Sequence, residues 1–166
     1  MLRSWLVFCG LSLLGISAAH AEGWYVVIRG SNSSTARFIS DEGLLRTGDT
    51  VEFWTADVEA VPMKVKEGGA EMKSSRTRNK VYCAPRKISA LSMVGYAESG
   101  EVLFTEMPSR SIEDIVPDSI ASILAGVVCD RAPFAGQQML LVVPPDKTIF
   151  DVAKVVFRSA RNVQGQ

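Results

Sequence analysis

Histidine is almost missing from this chain. The single copy, His20, lies in an N-terminal leader-like segment, and no other follows it. Everything after residue 21 is therefore without a Ser-His-Asp triad, a Cys-His pair or a histidine-ligated zinc. Cysteine is scarce too: Cys9 belongs to the same leader, and only Cys83 and Cys129 remain. Two thiolates fall short of the four ligands of a structural zinc, so no metal and no cofactor is expected. Net charge is absent, with 18 basic and 18 acidic residues, so no global field draws nucleic acid or acidic lipid. No recognised nucleic-acid-binding module accompanies the basic residues, and nucleic acid is not an expected partner. Long apolar runs are missing as well. The uncharged run at residues 5–16 is 12 residues long, against the roughly 20 a membrane-spanning helix needs.

That short run does have a purpose. Arg3, the apolar run and Ala19-His20-Ala21 stand in the order of a secretory signal peptide, residues 1–21, removed on export. A membrane anchor is the competing reading, and the length of the run speaks against it. Phe8 precedes Cys9 where a lipoprotein leader has a small residue, so Cys9 is expected to leave with the leader. The mature chain then begins at Glu22, has 17 basic residues against 18 acidic ones, and carries no transmembrane segment. It is expected in the periplasm or at the cell surface. In that oxidising setting Cys83 and Cys129 most simply form one disulfide. The loop closed spans 46 positions, worth about 4 kcal/mol by chain entropy.

The mature length suits a domain with a sizeable core. Trp24 to Ile28 is β-branched and aromatic, and the Gly-Ser-Asn turn after it ends a first strand. Residues 36–40 form a second, closed by Asp41-Glu42-Gly43. Residues 50–58 form a third, with Val51, Phe53 and Thr55 on one face and Glu52 and Trp54 on the other. Residues 64–79 begin as a polar loop and become a strand before Val81-Tyr82-Cys83. Residues 87–96 and 101–107 make a hairpin about Ala97-Glu98-Ser99-Gly100. About six strands in meander order predict an antiparallel sheet in an α+β fold. The period then changes: Val116, Ile120, Ile123, Leu124, Val127 and Val128 recur at helical spacing, with Pro117 in the first helical turn. Residues 137–143 read as another strand, stopped by Pro144-Pro145-Asp146. Residues 148–161 form an amphipathic helix with Ile149, Val152, Ala153, Val156, Phe157 and Ala160 opposite Asp151, Lys154, Arg158 and Arg161. Such a stripe usually packs on its own domain, the alternative being a partner- or membrane-seeking tail. The expected division is residues 22–129 as an α+β domain and 130–166 as an extension carrying this helix.

Several features in order carry a family resemblance: Trp24-Tyr25 opening the domain, Arg37-Phe38-Ile39-Ser40-Asp41, Phe53-Trp54 after a Gly-Asp turn, Val81-Tyr82-Cys83-Ala84-Pro85-Arg86-Lys87, the hairpin at residues 92–104, and Ile115-Val116-Pro117-Asp118-Ser119-Ile120 before Cys129. With these, residues 24–129 resemble the surface-adhesin protein E-like family of exported bacterial proteins. The resemblance implies a sheet of about six antiparallel strands with a helix tied to it by the disulfide. It also implies homodimerisation and binding of host matrix and serum proteins.

The densest charge feature is residues 64–87, where eight cations face Glu67 and Glu71, an excess of six. Acidic stretches flank it on both sides. Lys73, Arg76, Arg78 and Lys80 are the candidate ligand-binding residues, for a protein or an acidic surface ligand. The plainer reading is a solvated loop and a lysine-protected edge strand. No catalytic residue is expected. Asp57 with Glu59, or Glu98 with Glu101, would serve a hydrolase only from a cleft holding them about 5–9 Å apart, and exposed charges are the commoner case. Trp24 and Trp54 read as core or interface residues sooner than as a binding platform. The function read from the sequence is an exported non-enzymatic binding module, adhesin-like. A periplasmic carboxylate-based hydrolase and a periplasmic inhibitor or accessory subunit are the alternatives.

Overall fold

The computed structural model describes residues 23–32, 34–65, 69–108 and 111–164. The leader and its cleavage point lie outside them. β1 (Trp24–Val27), β2 (Thr35–Ser40), β3 (Leu45–Thr47), β4 (Thr50–Lys64), β5 (Glu71–Tyr82), β6 (Lys87–Tyr96), β7 (Val102–Glu106), β8 (Glu113–Asp114) and β9 (Leu140–Val142) form one antiparallel sheet. Its path runs β7-β6-β5-β4-β2-β1-β9, with β3 also on β4 and β8 also on β6. Two α-helices, α1 (Ile120–Cys129) and α2 (Ile149–Gln164), and a single 3-10 turn at Ile28–Gly30 complete the described elements. Nine strands replace the expected six or so. The additions include β3 and β8, whose three and two residues are all exposed and have no alternating pattern to betray them. They are strands because β4 and β6 offer backbone groups to pair with.

The central strand β4 has fifteen residues. β5 pairs along one side of it, while the other side is shared by β3 at residues 50–52 and β2 at residues 55–59. Its register slips between Val58 and Met63, where Pro62 has no N–H to contribute to a ladder. Alternation along the strands builds two cores. Tyr25, Val27, Ile39, Val51, Phe53 and Val81 meet Leu124, Val127 and Val128 of α1 on one face. Trp24, Val26, Ala36, Phe38, Ala56 and Val58 meet Ile149, Ala153 and Phe157 of α2 on the other. All four residues of β1 are buried because it is sandwiched between the two helical layers.

The disulfide between Cys83 and Cys129 ties the end of β5 to the end of α1, with Cα atoms 5.7 Å apart, inside the range a disulfide spans. A second tie comes from Arg46 of β3, which donates to the carbonyls of Val128 (2.6 Å) and Asp130 (3.2 Å). These are C-terminal carbonyls of a helix, which have no intrahelical partner and favour a cation. The start of α1 differs from expectation. Pro117 does not enter the first helical turn, because Asp118 adopts φ 59° and Ser119 becomes the N-cap, accepting from the Ser122 amide at 3.1 Å. Val116 is consequently outside the helix and 65% exposed.

After α1, β9 adds to the outer edge of β1, and α2 lies across β2 and β4. The amphipathic helix is thus a packed one, as its stripe predicted. Thr148 and Asp151 cap it reciprocally: Thr148 Oγ1 accepts from the Asp151 amide, and Asp151 Oδ2 accepts from the Thr148 amide and hydroxyl. These hydrogen bonds hold the Asp151 carboxyl below the usual aspartate range, with Lys154 adding attraction.

Candidate binding face

Cross-strand register decides what becomes of the basic stretch. Arg76, Arg78 and Lys80 recur every second residue of β5 and project on the α2 side of the sheet, opposite Ala56, Trp54 and Glu52 of β4. Glu52 therefore receives both Arg78 (2.6 Å) and Lys80 (3.4 Å). Lys80 Nζ also lies 5.7 Å from the centroid of the Tyr82 ring. Arg76 stacks over the Trp24 ring at 5.3 Å. Lys73 stands apart from these three and donates to the Ala60 carbonyl at 3.0 Å. Farther along, Arg86 reaches Ser122 of α1 and Lys87 pairs with Asp114 of β8. Lys66 and Glu67 lie outside the described residues. The excess of six cations in sequence is thus partly balanced by acids from other strands, and the four candidate residues are spread over neighbouring depressions.

The largest of these depressions was not foreseen. It is a groove of about 760 Å³ between α2 and the outer ends of β4 and β5. Val58, Ala60, Val61, Phe150 and Phe157 give it apolar walls, and Lys73, Lys154, Arg158 and Arg161 surround them. Glu98, on the turn between β6 and β7, is the acid that also lines it. Helical spacing supplies most of this. Phe150, Lys154 and Arg158 recur every four residues, as do Phe157 and Arg161, on the flank of the stripe that packs against the sheet. In the sequence those cations read as the solvated side of an amphipathic helix. The available signal was that Asp151 is the lone acid among Lys154, Arg158 and Arg161. That Lys73 would face them, from some eighty positions away, no local pattern can tell.

Two smaller depressions continue along the same face. One, of about 290 Å³, shares Phe150 with the groove and includes Ser74, Arg76 and Tyr96. The next, of about 260 Å³, shares Arg76 and Tyr96 and is lined by Trp24 and Trp54. Trp24 is 7% exposed and belongs to the core, whereas Trp54 is half-buried beside Gly43. Arg78 and Lys80 line a separate hollow with Glu52 and Tyr82.

Of the acids that could pair as catalytic carboxylates, Asp57 and Glu59 have structural partners. Asp57 takes two hydrogen bonds from Arg37, at 2.6 and 2.5 Å, across the β2–β4 ladder. Those bonds raise the Arg37 pKa above its ordinary value, against the opposing pull of burial. Glu59 accepts from the Thr35 hydroxyl at 2.9 Å. Glu98 and Glu101 lie exposed about the β6–β7 turn. On the opposite, α1 side, burial pushes the Tyr25 phenol up, and its hydrogen bond to Asp41 (2.9 Å) adds to the shift. Among the described residues no three His, Cys, Asp or Glu side chains gather as a metal site requires. No helix among them is long and apolar enough to cross a membrane.

The chain is similar to crystal form II of Haemophilus influenzae protein E at 16% identity, covering 56% of this chain and 79% of that one, with a TM-score of 0.46. For the selenomethionine form of Haemophilus influenzae protein E the identity is again 16%, the coverage 57% and 79%, and the TM-score 0.45. No curated protein matches the chain. A family model described as surface-adhesin protein E matches residues 24–130, which span β1 to the end of α1. The chain belongs to the surface-adhesin protein E family.

Proposed function

We propose that the chain is an exported, non-enzymatic binding module, adhesin-like in role, which engages an acidic protein or acidic surface ligand through the α2 side of its sheet. The observation that carries this is the common face on which Arg76, Arg78 and Lys80 project, continued by Lys73 into the groove. Family membership supports a surface-binding role. Lys73, Arg76, Arg78 and Lys80 are proposed as the ligand-binding residues, with the extension from residue 130 supplying the helix that walls the groove. Export follows cleavage after Ala21, and the mature protein acts in the periplasm or at the cell surface. Self-association as a homodimer belongs to the same reading. β9 is an edge strand with Leu141 and Val142 exposed, and sedimentation of the mature protein tests it.

The experiment is binding of the mature protein to an array of immobilised matrix and serum proteins at rising salt. Exposed charges are screened beyond about 8–10 Å near physiological ionic strength, so captured partners should weaken as salt rises. K73Q/R76Q/R78Q/K80Q should lower that binding. The pairs with Glu52 are surface pairs worth about 0–1 kcal/mol each, so most of the fold's stability should remain. Unchanged affinity in the quadruple variant rejects these four residues. Turnover of a glycan or peptide that is lost when one carboxylate is neutralised rejects the non-enzymatic reading.

A further inference from the structure

We propose that the groove beside α2 is a docking site for an extended acidic peptide segment whose acidic side chains alternate with large apolar ones. The inference rests on the binding-module reading but assigns the contact to α2, which lies beyond the residues matched by the family.

Two properties of the groove select this chemistry. The first is the layout of charge. Lys154, Arg158 and Arg161 follow one another along the helix over seven residues, about 10 Å at 1.5 Å per residue. Successive same-side residues of an extended chain are about 6.5–7 Å apart, close to the 6 Å rise from Lys154 to Arg158. A row of two or three carboxylates can therefore meet the row of cations. Among the described residues, Arg158 and Arg161 have no acidic partner within ion-pairing distance, and Lys154 is held only loosely by Asp151 at 3.7 Å. Arg161 uses Nε on the Phe157 carbonyl, fixing its guanidinium along the helix.

The second property is the apolar wall. Val61 is 76% exposed and Phe150 37% exposed, and both stand beside buried Phe157. A sulfated glycan would satisfy the cations and leave this wall wet. A lipid would cover the wall and match one end of a 10 Å row of charge. An alternating acidic and apolar segment uses both. Glu98 on the opposite wall repels a carboxylate, so the acidic edge of the segment faces α2.

The test uses a fluorescent peptide of alternating Glu and Phe, a second peptide with Ser for Phe, heparin, and phosphatidylglycerol vesicles. The mature protein should bind the Glu–Phe peptide at least tenfold more tightly than the Glu–Ser peptide. K154Q/R158Q/R161Q should weaken the Glu–Phe peptide tenfold or more. V61S/F150S should do the same with helical content intact, because both side chains are already exposed. E98Q should tighten it about twofold, and R76Q/R78Q/K80Q should leave it within twofold. Equal affinity for the two peptides, binding of heparin or vesicles in place of peptide, or indifference to either groove variant overturns the proposal. If matrix-protein capture persists while the peptide fails, the groove assignment falls and the binding-module reading stands. If capture fails while the peptide binds, the reverse holds.

Discussion

Removing the disulfide with C83S/C129S is the sharpest test of how α1 is held. The closed loop spans 46 positions, and chain entropy gives about 4 kcal/mol of stabilisation acting through the unfolded ensemble. The native contacts of α1 should outlast the bond. Leu124, Val127 and Val128 stay buried against Val51, Phe53 and Val81, and Arg46 still reaches the last helical carbonyls. The variant should therefore keep its native circular dichroism and its amide protection in α1 while losing about 3–4 kcal/mol in urea unfolding. For a domain of this size the midpoint should fall by about 6–16 °C, at roughly 2–4 °C per kcal/mol. The urea slope should steepen, because an unfolded chain without the cross-link exposes more surface. A loss below about 1 kcal/mol would refute the entropic account. So would early exchange of the α1 amides under native conditions, since that would make the bond a prop for the folded state and not a constraint on the unfolded one.

Arg46→Met keeps the side-chain length but leaves the Val128 and Asp130 carbonyls without the guanidinium, and should cost about 1 kcal/mol with selective loss of protection at the end of α1. Gly95→Ala would set a methyl against the Phe104 ring across the β6–β7 ladder, a cost of about 1–3 kcal/mol. Adding Phe104→Ala should return part of it in a double-mutant cycle, and strict additivity would show that the ring is not the obstacle. For Tyr25, the folded pKa is raised, so its contribution is complete below the unfolded tyrosine value near 10 and is lost as pH rises through the folded value. Ultraviolet titration should show one of the three tyrosines ionising later than the others, and Tyr25→Phe should remove that late phase together with the associated alkaline loss of stability.

Where burial writes itself into alternation, the sequence is readable. The strands at β2 and β4, the β6–β7 hairpin and the stripe of α2 declare themselves, β1 is legible from its β-branched and aromatic run, and so is the cysteine pair once the leader is set aside. Elements whose residues are all exposed do not. β3 and β8 exist by pairing alone, so composition carries no trace of them. The start of α1 was misplaced because Pro117 suits a first helical turn, while the chain uses a left-handed Asp118 and the Ser119 hydroxyl to begin three residues later. The basic stretch was visible as composition, but its partners were not. Glu52 is 26 and 28 residues from Arg78 and Lys80, and only the β4–β5 register sets them face to face. The groove is harder still, since half of its lining comes from a helix that follows the sheet in sequence.

That helix changes what the sheet can do. On the α1 side the core is sealed by a disulfide, a guanidinium cap and a buried helix face, an arrangement suited to rigidity. On the other side, α2 buries Ile149, Ala153 and Phe157 over β2 and β4 but leaves the face of β5 and β6 beside it open, with Arg76, Trp54 and Tyr96 along the margin. A flat basic strand by itself would bind acidic surfaces through screened charges, and such contacts fade with salt over a Debye length of about 8 Å. Lying over the neighbouring β2 and β4, α2 adds an apolar wall and a second row of cations, so that part of the binding energy of a segment docked in the proposed groove would come from buried area, which salt does not screen. On the proposed reading, discrimination between acidic partners falls to Phe150, Val61 and the α2 cations, while the strand cations hold acidic surfaces that do not enter the groove. Substitutions on α2 should accordingly alter which acidic partner is chosen, and substitutions at Arg76, Arg78 and Lys80 of β5 how strongly acidic surfaces outside the groove are held.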